Sequence, residues 1–325
     1  MKHLIKELTE SFGPSGSEDK IRETIIEKVR PYADSINVDK MGNIIAQKGT
    51  SGERLMLAAH MDEIGIIVTN IDDKGFLRFS NVGGLSPFTL IGERVVFANG
   101  TIGVFGMEKM DDMKDLKINK MFIDIGALSR EEAKQKVKIG DMGTFYRECS
   151  ISGDYIISKA LDDRAGCAVL IKVMEQLKKP GYQTFFVFTV QEEVGLRGAK
   201  TSSFGVDPDL AIAVDVTLTG DTPEAPKMAV ALGKGPAIKL KDNSIISHPK
   251  IKDALISAAE QKKVPYQLEV LEFGGTDSGA IHLSRSGVPS GGLSIPSRYV
   301  HSPSEMVHLK DLEMAVELLT GFIEG

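Results

Sequence analysis

Apolar, strand-like runs alternate with helical patterns in the second half of this chain, and this alternation is the strongest constraint on its fold. Residues 184–190 are apolar, β-branched and aromatic, as in a buried strand, whereas residues 163–177 have the apolar spacing of a helix. Strands and helices in turn predict an α/β domain. Further strands and helices are predicted at 210–214, 250–261, 266–270, 277–283, 287–293 and 309–323.

The first 70 residues have the same mixed character. Ser15-Gly16-Ser17-Glu18 is a capping signal ahead of apolar residues at helical spacing, and Pro31 ends that helix near Arg30. Four strands are predicted after it, at 35–38, 43–47, 54–59 and 64–69.

The pattern of predicted secondary structure changes in the middle of the chain. Between about residue 71 and residue 157, short β-like runs are separated by Gly, Asp and Asn, which indicates a small β-rich insertion. We therefore predict an α/β domain made of residues 1–68 and 158–325, interrupted by a β-rich domain at 69–157.

Two adjacent carboxylates, Glu192 and Glu193, follow the strand predicted at 184–190. Neighbouring side chains at the end of a strand point in different directions. One carboxylate can therefore bind a cation while the other faces a water on that cation, an arrangement that suits metal-assisted hydrolysis. A solvated acidic turn is the alternative for an isolated pair.

Other predicted strands also end in polar side chains of the kinds that bind metals. In open α/β sheets, ligands collect at the carboxyl ends of the strands. Histidine with carboxylates and no cysteine favours Zn, Co or Mn. The residues are His60, Asp62, Asp162, Asp163, Asp215 and His301.

Each of these residues has a structural alternative. Asp162 and Asp163 open a helix, where acidic side chains serve as caps. Asp215 can form a turn, and His301 can lie in a loop. His60 and Asp62 are two residues apart, so in extended chain Asp62 can hold the imidazole.

Composition excludes several functional classes. A chain of 325 residues with 42% hydrophobic residues and a net charge of -6 is expected to be a soluble, folded protein without a nucleic-acid partner. No apolar run approaches membrane-spanning length, so no membrane association is predicted. The charged N-terminal segment is unlike a signal peptide, and two cysteines cannot form a disulfide framework, which predicts a cytoplasmic protein.

An ordered set of motifs resembles the tetrahedral (TET) aminopeptidases, family forty-two of the metallopeptidases, which includes glutamyl and deblocking aminopeptidases and proteins labelled endoglucanase. The motifs span nearly the whole chain, and they are Ala58–Gly65, Ala160–Cys167, Gln191–Ala199, Asp215–Thr217, Gly274–Asp277 and Ile295–Ser302.

The resemblance implies a dinuclear metal centre in an αβα sandwich with a mixed sheet. Asp162 would bridge two divalent ions, zinc or cobalt. His60 and Asp215 would complete one site, and Glu193 and His301 the other.

The resemblance also implies the catalytic groups and the reaction. Glu192 would be the general base, and Asp62 would be the partner of His60. Two cations about 3.5 to 4 Å apart would share an activated water, and Glu192 would transfer its proton to the leaving amine.

The resemblance further implies an assembly and a substrate. The insertion would be a PDZ-like dimerisation domain, and dimers would build a hollow dodecamer that admits small peptides. An aminopeptidase would remove their N-terminal residues.

One glycine-rich segment is a candidate substrate pocket. Gly274, Gly275, Thr276 and Asp277 follow a predicted strand and precede a helix, so their backbone amides could line a binding site. A tight turn that requires glycine explains the same residues equally well.

Rival functions belong to other classes. A carboxypeptidase or amide deacylase would use the same two-metal core.

A glucanase is disfavoured because the chain has no Trp to stack on sugars and because Glu192 and Glu193 are adjacent. A serine hydrolase would need a Gly-x-Ser-x-Gly elbow, which is absent. A non-catalytic scaffold has no need for a base beside a metal ligand. The identity of the metal and the preferred N-terminal residue remain open.

Overall fold

The computed structural model describes residues 1–325 and contains eight α-helices. They are α1 (Lys2–Glu10), α2 (Asp19–Val29), α3 (Arg130–Lys136), α4 (Leu161–Gln176), α5 (Arg197–Val206), α6 (Pro249–Lys262), α7 (Ser278–Ile281) and α8 (Leu309–Glu324). None of the helices is both long enough and apolar enough to span a bilayer.

The structure also contains seventeen β-strands. They are β1 (Ser35–Val38), β2 (Ile44–Lys48), β3 (Arg54–His60), β4 (Gly65–Ile71), β5 (Leu77–Val82), β6 (Arg94–Phe97), β7 (Ile102–Met107), β8 (Met121–Asp124), β9 (Met142–Phe145), β10 (Ser150–Ser152), β11 (Tyr155–Ser158), β12 (Gln183–Thr189), β13 (Leu210–Thr217), β14 (Ala237–Lys241), β15 (Gln267–Val270), β16 (Ser290–Arg298) and β17 (Glu305–His308).

Eleven strands form one large mixed sheet, with β12, β3, β13 and β16 parallel to one another at its centre. Strand β2 runs antiparallel to β12, and β14 runs antiparallel to β16. The predicted α/β fold with a mixed sheet is therefore confirmed.

Helices cover both faces of this sheet. Along β3 the side chains alternate: Leu55 and Leu57 belong to a core of 45 buried residues beneath α1, α2, α4, α6 and α8. Met56 and Ala58 belong to a smaller core of 10 residues on the other face, which receives residues from α5 and α7. This two-sided burial explains why the central strands are almost continuously apolar.

A second, smaller sheet closes into a six-stranded barrel in the order β4-β5-β8-β7-β6-β9. It has its own core of 17 buried residues. The barrel strands lie between Gly65 and Phe145, whereas β10 and β11 pair with the large sheet through β17. The insertion at 69–157 thus differs from the barrel at both ends, and the division into domains stays a prediction.

Several elements differ from the sequence-based expectations. Helix α7 covers only part of the predicted 277–283 helix, and β16 begins three residues after the start of the strand predicted at 287–293 and continues to Arg298. Strand β16 contains Gly, Ser and Pro, which have low β propensity, but both of its faces are buried, and packing decides its conformation. The elements that were not predicted include α5, β14 and β17.

The prediction that Ser15-Gly16-Ser17-Glu18 caps the following helix is wrong, because no side chain makes a capping hydrogen bond there. Glu18 is the N-cap residue of α2, and no side chain caps the helix. The Glu18 carboxylate accepts from the Gly16 N–H at 2.7 Å, and the Ser15 hydroxyl donates to Asp62 at 2.5 Å. The Ser15 hydroxyl is therefore a donor to a carboxylate from elsewhere in the fold, and it accepts no N–H from the first turn of α2.

Candidate metal centre

Parallel strands bring the predicted site residues to one edge of the large sheet. His60 is the last residue of β3 and pairs with Thr189, the last residue of β12, so Glu192 and Glu193 follow close beside His60. Asp215 lies near the end of β13, the other neighbour of β3. The carboxyl edge of the sheet therefore collects side chains that are far apart in sequence.

One group of three donors consists of His60, Asp162 and Asp215, all buried, with ligand atoms within 4.8 Å of one another. His60 Nε2 lies 2.9 Å from Asp162 Oδ1 and 3.9 Å from Asp215 Oδ1. One imidazole and two carboxylates match the borderline-to-hard donors that catalytic divalent ions use.

A second group consists of Asp162, Glu193 and His301, again with ligand atoms within 4.8 Å of one another. His301 Nε2 lies 3.3 Å from Asp162 Oδ2 and 3.2 Å from Glu193 Oε2. Asp162 thus offers one carboxylate oxygen to each group, which is the arrangement of a bridging ligand.

The charges at this edge fit cations. Burial raises the pKa of Asp215 and of Glu192 well above the ordinary carboxyl range, and neighbouring carboxylates raise both further. Burial alone would lower the pKa of His301, but the carboxylates of Asp162 and Glu193 raise it to about 12. Glu193 Oε1 is buried without a hydrogen-bond partner. Buried carboxylates at this density need positive charge, and the donor set fits two divalent ions.

Glu192 lies beside the donors without belonging to either group. Its Oε2 is 3.9 Å from His60 Nε2, and its side chain is 12% exposed on the wall of a cavity. This candidate acid/base group therefore lies within 4 Å of a candidate ligand and faces the cavity.

Asp163, the neighbour of Asp162, has the structural role of accepting backbone N–H groups. Its carboxylate accepts from the backbone N–H of Gly166 at 3.0 Å and from that of His60 at 3.3 Å. Asp162 and Asp163 both have non-helical backbone angles at the start of α4. The capping explanation therefore describes Asp163, while Asp162 faces the histidines.

Asp62 is close to His60, but its strongest contacts are elsewhere. His60 Nδ1 lies 3.1 Å from the backbone oxygen of Asp62, an acceptor, so Nδ1 carries the proton in this pair. The Asp62 carboxylate, 3.6 Å from Nδ1, accepts from the backbone N–H groups of Glu192 at 3.0 Å and Glu193 at 3.3 Å. Asp62 therefore orients the histidine with its backbone and the two glutamates with its side chain.

A cavity of about 520 Å³ opens beside the donors and contains most of the predicted substrate segment. Gly274, Gly275 and Thr276 line it. Asp277 does not: its buried carboxylate accepts from the Thr189 hydroxyl, and burial raises its pKa to about 6. Asp277 was predicted to lie in the substrate pocket, but in the fold it is not part of the cavity lining.

The barrel reaches the donors, although the sequence placed no site residue in the insertion. A Cβ atom on Gly84 would lie 2.6 Å from His301 Nδ1, and one on Gly83, which has φ +77°, would lie 3.2 Å from Glu193 Oε2. These two glycines permit the segment after β5 to pack directly on two candidate ligands. Sequence periodicity gave no signal for this contact, which depends on the approach of two sheets.

A further residue that sequence reasoning missed is Glu305, whose side chain is buried. Its carboxylate accepts from the backbone N–H of Asp162 at 2.9 Å and from that of His301 at 2.8 Å. One side chain thereby fixes the backbones of two candidate ligands. Its position four residues after His301 was the available signal, but this stretch resembled an ordinary polar turn.

Replacing Glu305 by glutamine is expected to weaken the binding of the cation at His301 by about 10-fold, because an amide can accept only one of the two backbone N–H groups. Competition with a chromophoric chelator measures this affinity. Asp311→Asn is the matched control, since Asp311 is buried and accepts from the backbone N–H groups of Gly233 and Gly235 at 2.7 and 2.8 Å. Equal loss of affinity in both variants would contradict a positioning role.

Comparison with known proteins identifies the family. The family model described as M42 glutamyl aminopeptidase matches residues 42–318. A protein of Acetivibrio thermocellus assigned as an aminopeptidase is 56% identical over 98% of this chain and 97% of its own length.

Solved structures agree with this relationship. An aminopeptidase from Desulfurococcus kamchatkensis is 43% identical, with a TM-score of 0.95 over 99% of this chain and 94% of that one. The TET1 peptidase of Pyrococcus horikoshii is 36% identical, with a TM-score of 0.90 over 99% and 98%, and is described as able to assemble into a tetrahedron or a large octahedral shell. A Thermotoga maritima protein described as an endoglucanase is 35% identical, with a TM-score of 0.84 over 98% and 96%.

The family match covers most of the chain, and the relatives share its full length and fold. The chain therefore belongs to the M42 peptidase family and is a metal-dependent aminopeptidase.

Proposed function

We propose that this aminopeptidase is dinuclear and that Asp162 bridges its two cations. His60 and Asp215 would complete one site, and Glu193 and His301 the other. The observation that supports this most directly is the position of Asp162, with one oxygen 2.9 Å from His60 Nε2 and the other 3.3 Å from His301 Nε2. Zinc or cobalt suits one imidazole with carboxylates at each site.

Glu192 would act as the general base and then as the general acid. When bound, two divalent ions would supply a water of lowered pKa and would polarise the scissile carbonyl. Glu192 would accept the proton of the attacking water and deliver it to the nitrogen of the leaving amine. Its burial supports this role, because a pKa above the ordinary carboxyl range lets the group both take and return a proton.

Asp62 would hold this machinery in place without touching the substrate. Through its backbone oxygen it keeps the Nδ1 proton of His60 directed away from the cation site, so Nε2 is left free to bind metal. Through its carboxylate it fixes the backbone of Glu192 and Glu193. The lengths of these hydrogen bonds support a positioning role for Asp62.

The substrates would be small peptides with a free N-terminus. A panel of matched peptides with free and acetylated N-termini tests this proposal. We expect hydrolysis of the free peptides alone, release of the first residue, and loss of activity after chelation with recovery on addition of zinc or cobalt. Release of C-terminal residues, or equal hydrolysis of the blocked peptides, would instead indicate the carboxypeptidase or deacylase alternative.

The assembly would be a dodecamer built from dimers, with the barrel at the dimer contact. The barrel exposes apolar side chains, among them Phe88, Ile102 and Val104, at 55%, 44% and 44%. Ile102 and Val104 alternate with buried residues along β7 and so share its outer face. A molar mass near twelve times that of the 35.2 kDa subunit is expected by light scattering, and a monomer would contradict the proposal.

We also retain the proposal of a cytoplasmic location. Its support is that Cys149 and Cys167 are unpaired, which fits a reducing compartment.

A further inference from the structure

The wall of the cavity beside the metal centre includes one buried ammonium group, which has no role in the proposed mechanism. Lys239, on β14, lines the cavity together with the donors, and its side chain is only 1% exposed. It is the only lysine or arginine in the lining. The apolar members of the lining are Leu196, Val216, Leu218, Leu271, Phe273 and Val300.

Two buried carboxylates already hold Lys239. Its Nζ donates to Glu269 Oε1 and lies 3.5 Å from Asp242 Oδ2. The same Glu269 oxygen accepts from the Thr217 hydroxyl at 2.8 Å. A Cβ atom on Gly292 would fall 3.1 Å from the Lys239 stem, so the stem is packed as well as paired.

This pairing removes Lys239 as a receptor for an acidic substrate. To bind the carboxylate of an N-terminal glutamate, the ammonium would have to leave Glu269, and a buried charge would lose its partner. Glu269 and Asp242 do not line the cavity themselves. Their carboxylates are therefore not accessible as partners for a basic substrate side chain.

We propose that this cavity selects peptides whose N-terminal side chain is neutral and apolar, such as leucine or methionine. The inference rests on the proposed function and adds a substrate class to it. The cavity, of about 520 Å³, has space for such a side chain, and burial of its surface against the six apolar residues of the lining supplies the binding energy. The chain would thus differ from the glutamyl specificity in the description of its family.

Four aminoacyl anilides test the proposal on the zinc- or cobalt-loaded protein: leucine, glutamine, glutamate and lysine. Glutamine and glutamate have nearly the same shape, so their comparison isolates charge. We expect kcat/KM for the leucine anilide to exceed that for the glutamate anilide by at least about 10-fold, with glutamine between them. A fastest rate with glutamate or lysine would overturn the inference. Hydrolysis of none of the four would instead contradict the proposed dinuclear mechanism at this site, so the two failures are distinguishable.

Glu269→Gln tests the cause. With this charge removed, Lys239 has one carboxylate left, and the ratio of glutamate to leucine hydrolysis is expected to rise by about 10-fold. Glu317→Gln, an exposed change on α8, should leave the ratio unaltered. An unchanged ratio in a Glu269→Gln protein that still hydrolyses the leucine anilide would overturn the role of the ion pair. The wild-type panel decides the selectivity even if this variant folds poorly.

Discussion

Replacing Glu192 by glutamine is expected to lower kcat by about 10²- to 10⁴-fold while both cations stay bound. Glutamine keeps the shape of the side chain but cannot accept the proton of the attacking water. Glu192 lies outside both donor groups, so its loss removes no ligand. Turnover of a leucine anilide and metal analysis of the same dialysed sample measure the two effects together.

Glu193→Gln is the natural control for this experiment, because Glu193 is the adjacent residue and belongs to a donor group. We expect it to lose affinity for one cation, with activity recovered in part by excess metal. Glu192→Gln should not recover at any metal concentration. A metal-loaded Glu192→Gln protein that retains most of its turnover would remove Glu192 from the mechanism.

The pH dependence of the wild-type enzyme bears on the same group. Burial places the pKa of Glu192 above the usual carboxyl range, and the neighbouring carboxylates of Asp215 and Glu193 raise it further. A general base is active only when deprotonated, so kcat/KM is expected to fall as the pH decreases through this pKa.

The sequence located the donors because their signals are local and repeated. His60, Asp162, Glu193 and Asp215 each stand at or just beyond a predicted strand or at the start of a helix. The rule that parallel strands present their carboxyl ends at one edge is enough to bring such residues together. The two-face burial of the central strands was likewise readable from their apolar runs.

What the sequence did not predict depends on contacts between distant segments. Ser15 resembled a helix cap, but in the fold its hydroxyl donates to Asp62, 47 residues away. Glu305 resembled a surface acid, yet it is buried against Asp162 and His301. Hydrogen bonds of this kind have no periodic pattern, because only the assembled fold determines which acceptor a donor meets.

Strand β14 was missed for a related reason. It contains Lys239, and a lysine in a short segment favours an exposed position. The fold supplies the two carboxylates that make its burial possible, from Asp242 in the same segment and from Glu269 on β15. The specificity proposed above thus depends on the feature that the sequence pattern could not show.

The largest loss of metal is expected from Asp162→Asn. The amide has one acceptor oxygen and no charge, so it can neither bridge two cations nor offset their charge. Both groups of donors include Asp162, and removal of this one ligand therefore weakens both sites. We expect metal per subunit to fall from two to near zero after dialysis, with loss of aminopeptidase activity.

Two single-site variants make this result specific to bridging. Asp215→Asn alters only the group that contains His60, and His301→Ala alters only the group that contains Glu193. Each should keep about one cation per subunit, because the other group retains its three donors. If Asp162→Asn also kept one cation, its carboxylate would serve a single site, and the dinuclear proposal would fail. If all three variants lost both ions, the two sites would be strongly coupled, and a chelator titration of the wild type should then show a single cooperative release.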